Sequence, residues 1–324
     1  MKVHVCQKSK YIDLDRLTFQ IFNTGAAVLD TKPKIAVIVV NWNGWRHSRS
    51  AYLSLQASKE TSWHLFIIDN ASTDGSAQHL ASLGENVTLI QSPRNEGFAG
   101  GCNIGIKSAL SSGFEFIFLL NSDATVEYDT LSNLLEVEKL YSNTVLGCVV
   151  RYSETGKVQF FGSSVSPISG TPVWHSEKYK SHILEQKIIE SDFVFGAALF
   201  AKSKMFENYG LFDERFFLNF EETDWCYRVR KSGGQCLIVR DAIVRHVGGA
   251  SLGSTGSPLH SYFLERNRML FIEKHGSIGQ RIKSFRNYFR LLRNAPSSAT
   301  RKALIAGLRD YIIRDFGDSP ANLR

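Results

Sequence analysis

From Lys34 to about residue 150 the chain alternates short apolar runs with amphipathic stretches, and this rhythm constrains the fold more than any other feature. The runs are IAVIVV (35–40), HLFIID (64–69), VTLIQ (87–91), EFIFLL (115–120) and VLGCVV (145–150). Each has strand length and is apolar on both faces, a pattern that suits a strand only when both sides of its sheet are covered. Helical patterns over 47–58, 74–83, 100–111 and 127–141 fill the intervals, as βαβ crossovers require. The prediction is an α/β fold with an open, Rossmann-like, mostly parallel sheet flanked by helices.

After residue 150 the alternation stops. Strand-like pieces at 158–162 and 193–201, around a loop holding Gly170, Pro172 and Trp174, predict an antiparallel extension. A helix over 221–232, ended by Gly233-Gly234, leads into QCLIVRDAIVRHV (235–247), which reads as one or two strands. The Gly/Ser-rich stretch 248–258 reads as a mobile loop able to act as a lid, and helices are expected over 259–275, 278–294 and 299–315.

Open parallel sheets bind ligands beyond the carboxyl ends of their strands. Four of those ends are polar here: Asn41-Trp42-Asn43-Gly44, Asp69-Asn70 through Asp74, Arg94-Asn95-Glu96-Gly97, and Asn121-Ser122-Asp123. Any one of them is ordinary turn and cap chemistry. Four in succession describe a nucleotide-sized rim. The glycines of GFAGGCNIG (97, 100, 101 and 105, with Asn103 among them) fit neither GxxxxGK[ST] nor GxGxxG, which disfavours a P-loop ATPase and a dinucleotide-dependent dehydrogenase. Asp123 stands where a hard cation would bridge it to a diphosphate. A second acidic centre, Glu221-Glu222-Thr223-Asp224, opens a helix after a run of aromatic residues. Desolvation and like-charge crowding there would raise at least one carboxyl into the range of a general base, the alternative being an acidic first turn that only caps the helix. His246 follows a strand, and a histidine so placed is by itself more often packed or bonded to solvent than a ligand.

In this order, VIVVNWNG, IIDNASTDGS, RNEGFAGGCNIG, FLLNSDATV, GLFDERFFLNFEETDWCYRVRKSGG and VRHVGGAS resemble glycosyltransferase family 2, with its GT-A fold, and most of all its bacterial rhamnosyltransferase-like branch. The resemblance runs from about Lys34 to Ser251. It implies transfer of a sugar, rhamnose favoured, from a nucleoside diphosphate donor to an acceptor hydroxyl with inversion. dTDP-rhamnose is the first donor it suggests and a UDP-hexose the next; the acceptor is a growing glycan on a polyprenyl-diphosphate lipid, as in O-antigen or capsule assembly. Carried over, the donor site comprises Asn41, Asn43, Asp69, Asn70, Asp74, Arg94, Asn95, Gly97, Gly101, Asn103, Asn121, Ser122 and Asp123. Asp123 and His246 would hold Mg²⁺ or Mn²⁺, Glu222 would be the base with Glu221 and Asp224 beside it, and Trp174, Phe195 and Gly196 would meet the acceptor. Two departures stand out: the family's DxD reads Asn121-Ser122-Asp123, and its catalytic Asp is a Glu, which leaves the choice between Glu221 and Glu222 open.

The implied organisation is a leader (1–33), a GT-A domain (34–257) divided at residue 150 into nucleotide-sugar and acceptor halves, and a basic helical extension (258–324). A sugar nucleotidyltransferase would carry a basic Gly-rich loop after the first strand, where this chain has Asn41-Trp42-Asn43-Gly44; a catalytically silent sugar-binding or scaffold protein stays open. The net charge is +7, and residues 281–324 carry ten Lys/Arg against three acids, which accounts for all of it. No nucleic-acid motif accompanies that charge. Apolar residues interleave with it (Tyr288, Phe289, Leu291, Leu292, Leu304, Ile305, Leu308, Ile312, Ile313), so the tail reads either as a peripheral contact with an anionic inner leaflet or as ordinary packing helices. No apolar run approaches the ~18 residues of a spanning helix. Five cysteines without a CxxC pair, and a start with no apolar signal core, set the expectation of a cytoplasmic protein with reduced thiols.

Overall fold

The computed structural model describes residues 10–14, 17–23, 34–166, 172–175, 185–248 and 257–320. The lid reading at 248–258 therefore falls largely outside the described residues, as does Cys6.

An antiparallel hairpin, β1 (Lys10–Leu14) and β2 (Leu17–Asn23), pairs through β2 with one edge of the main sheet. Next come β3 (Ile35–Asn41), β4 (Trp63–Asp69), β5 (Val87–Gln91) and β6 (Phe116–Leu120), mutually parallel in the order β5-β4-β3-β6. These are the predicted doubly apolar runs. Their alternate residues feed two cores, with Ala36, Ile38 and Ile68 on one face and Ile35, Val37 and Val39 on the other. The crossovers are α1 (Trp45–Gln56), α2 (Ser76–Leu80) and α3 (Gly97–Ser111). The last lies close on β3, because a Cβ on Gly101 would stand 2.7 Å from Val40 and one on Gly105 2.4 Å from Ile38. The strand order reverses between β3 and β6, and that switch point fixes where a ligand crevice opens.

Beyond β6 the chain forms β7 (Ala124–Val126), α4 (Thr130–Glu138), β8 (Thr144–Tyr152), β9 (Val158–Phe160), β10 (Ser163–Val165), β11 (Pro172–Trp174), β12 (Ile188–Ser191) and β13 (Ala198–Lys202). Then follow α5 (Ser203–Tyr209), α6 (Glu221–Lys231) and the long β14 (Gln235–His246). The fifth apolar run, β8, is not the parallel neighbour of β6. The equally apolar β13 inserts between them, antiparallel to both, and the order continues β6-β13-β8-β14-β12. The 235–247 segment is one strand with an irregularity between Val239 and Ile243: it runs parallel to β8 on both sides of that irregularity, and its end pairs antiparallel with β7 as well.

Three helices follow: α7 (Pro258–His275), α8 (Ile278–Arg293) and α9 (Ser298–Ile313). Tyr288 of α8 and Leu304 of α9 are buried together, the phenol donating to the Leu304 carbonyl at 2.7 Å, so those two belong to the packing face of the tail. Among the described residues no helix is long and apolar enough to cross a membrane. Cys102, Cys148, Cys226 and Cys236 are free and buried.

Candidate active site

The carboxyl ends of β3, β4 and β6 converge at the switch point, where side chains tie one loop to the next. Asn41, fully buried at the end of β3, donates to Asp69 Oδ1 at 3.0 Å and to Ser72 Oγ at 3.1 Å, and accepts from Ser48 at 2.8 Å. Asn43, in the left-handed region at φ 50°, accepts from the Thr73 amide at 2.7 Å. Asn70 donates to Asn95 Oδ1 and the Gly97 carbonyl at 2.9 and 3.0 Å and accepts from the Glu96 amide. A narrow cleft results, lined by Trp42, Asn70, Asn95, Gly97 and Ser122, with Asp318 and Ser319 of the C-terminal segment on its outer wall.

Several expected donor residues work inside the framework instead. Asn103 is buried, and its amide is engaged by the Phe212 carbonyl (3.0 Å), the Glu214 carboxylate (2.9 Å) and the Phe212 amide (3.0 Å), so it joins α3 to the loop ahead of α6. Gly101 makes room for β3, as above. Asp74 is exposed and accepts from the Ser76 amide and hydroxyl at the start of α2. Arg94 is exposed, pairs with Glu96 at 2.7 Å, and borders a separate cavity with Arg215 and Arg314.

Beside the cleft opens a cavity of about 490 Å³. On one wall the pairing of β14 with β7 sets His246 opposite Ala124, which brings the ring to Asp123: Nε2 lies 3.1 Å from Oδ1, and 3.2 Å from Asn121 Nδ2. Nδ1 faces Gln159 Oε1 at 3.0 Å. With Nδ1 turned to the Gln159 oxygen, Nε2 and the Asp123 carboxylate stand side by side as two donors that a divalent cation would share. Burial pushes the Asp123 carboxyl upward, but the His246 contact and the Gly248 amide at 3.2 Å outweigh it, so the group sits below the usual carboxylate range and stays ionised. One carboxylate and one imidazole, with no third His, Cys, Asp or Glu joining them among the described residues, fit a divalent ion that completes its shell from phosphate and water. Sequence reasoning did not single out Gln159; its only signal was alternation along a short strand.

Trp174, Phe195 and Gly196 line the same cavity. Trp174 meets Phe195 edge-on at 5.2 Å, Phe195 meets the His246 ring at 5.7 Å, and the indole is 44% exposed. Such a ring offers a face to a sugar.

The acidic centre forms the remaining wall. Phe217, Asn219 and Phe220 all have left-handed backbones (φ 57°, 73° and 77°), which is costly for non-glycine residues, at about 1–3 kcal/mol each, unless the surroundings enforce it. From this turn α6 begins with Glu221 and Glu222, both buried, and each has one carboxyl oxygen without a hydrogen-bond partner. Glu221 lines the cavity. Glu222 packs under Gly196, where an added Cβ would meet its carboxyl carbon at 3.4 Å. Burial pushes the Glu222 carboxyl up to about 7 against the pull of its own amide and those of Thr223 and Gly196. Burial and then the Glu222 charge push Glu221 well above its ordinary value as well, so the two carboxyls resist ionising together and titrate as a pair. Asp224 differs. Although buried, its carboxylate is saturated by His275 (2.7 Å), Lys274 (2.6 Å) and Arg228 (3.0 Å), which outweigh desolvation and hold it below the usual range. A carboxylate so satisfied is a structural anchor between α6 and α7 and a poor base.

A parallel sheet with a switch-point cleft, extended by an antiparallel part carrying an elevated carboxyl pair, is the architecture of an α/β enzyme that binds its ligand at the carboxyl ends of its strands. The chain belongs to glycosyltransferase family 2, whose profile matches residues 36–209, over half its length. It is 25% identical to the dTDP-rhamnosyl transferase RfbF of Shigella flexneri over 86% of this chain and 93% of that one. It is 23% identical to the N-acetylglucosaminyl-diphospho-decaprenol L-rhamnosyltransferase of Mycobacterium tuberculosis over 68% and 78%. In structure it is similar to GalNAc-T7 crystallised with UDP, GalNAc and Mn²⁺, with a TM-score of 0.60 and 15% identity, covering 87% of this chain and 56% of that one.

Proposed function

We propose that the protein transfers rhamnose from dTDP-rhamnose, with a UDP-hexose as second-choice donor, to a hydroxyl of a polyprenyl-diphosphate-linked glycan. One observation carries the reading: Glu221 and the Asp123–His246 pair line a single cavity beside the nucleotide cleft, and Glu222 lies directly beneath Gly196 of the same cavity wall. The names of the two rhamnosyltransferases support the sugar, and that of the decaprenol enzyme supports the lipid carrier.

In this reading Asp69, Asn70 and Asn95 orient the nucleoside. Asp123 and His246 would hold Mg²⁺ or Mn²⁺, which supplies positive charge opposite the departing diphosphate. Glu222 takes the acceptor hydroxyl proton as that oxygen bonds to the anomeric carbon from the face opposite the breaking bond to the diphosphate. Trp174 and Phe195 position the acceptor sugar.

The test is a thermal-shift and turnover screen of nucleotide sugars with the purified protein and Mg²⁺. A donor at 100 times its Kd stabilises the native state by about 2.7 kcal/mol, and dTDP-rhamnose is expected to give the largest shift together with slow hydrolysis or transfer. Absence of both with every nucleotide sugar would favour a silent scaffold.

The same reading places the protein against an anionic leaflet. Ile278, Ile282, Phe285 and Phe289 fall on one face of α8, all exposed, with Lys283, Arg286, Arg290 and Arg293 around them. Apolar side chains flanked by cations suit a lipid headgroup boundary. Serine at both Ile282 and Phe289 is expected to weaken binding to vesicles containing anionic lipid by at least about tenfold, given the apolar area removed; unchanged cosedimentation would refute this attachment.

A further inference from the structure

Asn267 of α7 is fully buried, and its amide nitrogen reaches three carbonyls of the turn that launches α6: Phe216 at 2.6 Å, Leu218 at 2.8 Å and Asn219 at 2.9 Å. Its orientation is fixed from behind, because Arg266 Nε donates to Asn267 Oδ1 at 3.0 Å. The Arg266 guanidinium, itself fully buried, also donates to the Phe216 carbonyl at 3.3 Å, the Tyr262 hydroxyl at 3.1 Å and the Gly317 carbonyl at 2.9 Å. Tyr262 passes the contact on to Asp310 at 2.7 Å. A buried polar cluster that sends four hydrogen bonds to one strained turn is over-built for packing alone. Left-handed backbone at Phe217, Asn219 and Phe220 persists only where neighbours over-determine it, and here one amide engages the carbonyls of Phe216, Leu218 and Asn219.

We propose that Asn267, oriented by Arg266, is a positioning residue for the reaction: it holds the 216–220 turn in its left-handed path and so sets the place of Glu222 beneath Gly196 of the cavity wall. The inference deepens the reading of Glu222 as the base and rests on it. Asn267 touches neither donor nor acceptor in this scheme and acts only through the turn. Arg266 extends the same hold to the C-terminal segment through Gly317, which makes that segment part of the brace.

Asn267→Asp keeps the size of the side chain but replaces the donor with an acceptor facing three carbonyls. It is expected to lower kcat by about 10²-fold, the scale of a roughly 1 Å misplacement, while donor affinity from nucleotide titration stays within about threefold. The acid limb of its kcat–pH profile, set by Glu222 with Glu221 and the buried Cys102 thiol as its titratable neighbours, is expected to move away from about 7. Asn219→Gly in the Asn267→Asp background makes the left-handed turn cheap again and is expected to restore part of kcat. Should Asn267→Asp fail to give a cooperative melt, Asn267→Ser takes its place in the same comparison. A kcat loss matched by an equal loss of folded protein, with an unmoved pH limb, would overturn the proposal, as would unchanged kcat. Glu222→Gln measured in parallel separates the two readings: a working Glu222→Gln removes the base, whereas an inactive Glu222→Gln beside a normal Asn267→Asp removes only the positioning role.

Discussion

Glu222→Gln is expected to lower kcat by roughly 10²–10⁴-fold, the usual contribution of a general base, with donor affinity little changed. Glutamine preserves the packing under Gly196 and removes only the proton acceptor. Electrostatics favours Glu222 over Glu221. Both carboxyls are raised, but Glu222 titrates near 7 and is the more exposed of the two, at 8% against 3%; an acceptor for a proton near neutrality must be partly ionised there. A stability signature accompanies the loss. A carboxyl raised from 4.5 to about 7 stabilises the fold relative to its ionised form below about 4.5, and that contribution is lost as pH rises through 7. At about 1.4 kcal/mol per pH unit, ionisation costs up to about 3 kcal/mol above pH 8. Glu222→Gln is therefore expected to melt higher than the parent at pH 8 and at about the same temperature near pH 4.5. Near-normal turnover in Glu222→Gln would transfer the proton to Glu221.

The second large effect falls on Asp123. It is the only carboxylate of the Asn121-Ser122-Asp123 strand end, so Asp123→Asn leaves His246 with no charged partner there. Loss of a cation opposite a leaving diphosphate removes several kcal/mol of transition-state stabilisation, and kcat/KM is expected to fall by at least about 10²-fold. Binding gives an independent readout. Mn²⁺ titrated in the presence of dTDP is expected to bind the parent and to bind Asp123→Asn much more weakly, and EDTA is expected to silence the parent until Mg²⁺ or Mn²⁺ is restored. Parent turnover indifferent to EDTA would remove the cation from the scheme.

The parallel half was legible because its strands are apolar on both faces and its loops end in polar clusters that local turn chemistry does not explain as a set. What was not legible depends on partners distant in sequence. Nothing in VLGCVV reveals that FVFGAALFA, some fifty residues later, will come between it and β6, since any two apolar strands satisfy the same pattern. In the site, Asp123, His246 and the two glutamates are marked by position after a strand or at a helix start. Asp224 carries the same mark but is neutralised by Lys274 and His275 of α7, whose approach no local pattern encodes. Asn267 was passed over because a polar residue in a helix ordinarily faces water. A signal did exist: α7 offers no continuous polar face, as Tyr262, Phe263, Met269, Leu270, Phe271 and Ile272 are buried around a polar triplet, Glu265-Arg266-Asn267, that is buried as well.

The insertion of β13 bears on how such an enzyme changes its substrate. Hydrogen-bonded to β6 on one side and β8 on the other, it stitches the parallel strands around β3 and the strands from β8 onward into one continuous sheet. A jaw that opens and shuts would have to tear that ladder. The molecule is built instead as a jig, with its reacting groups pinned to a common plate, and new sugars or acceptors are most cheaply accommodated by exchanging the connections around β10, β11 and β12 while the plate is left alone.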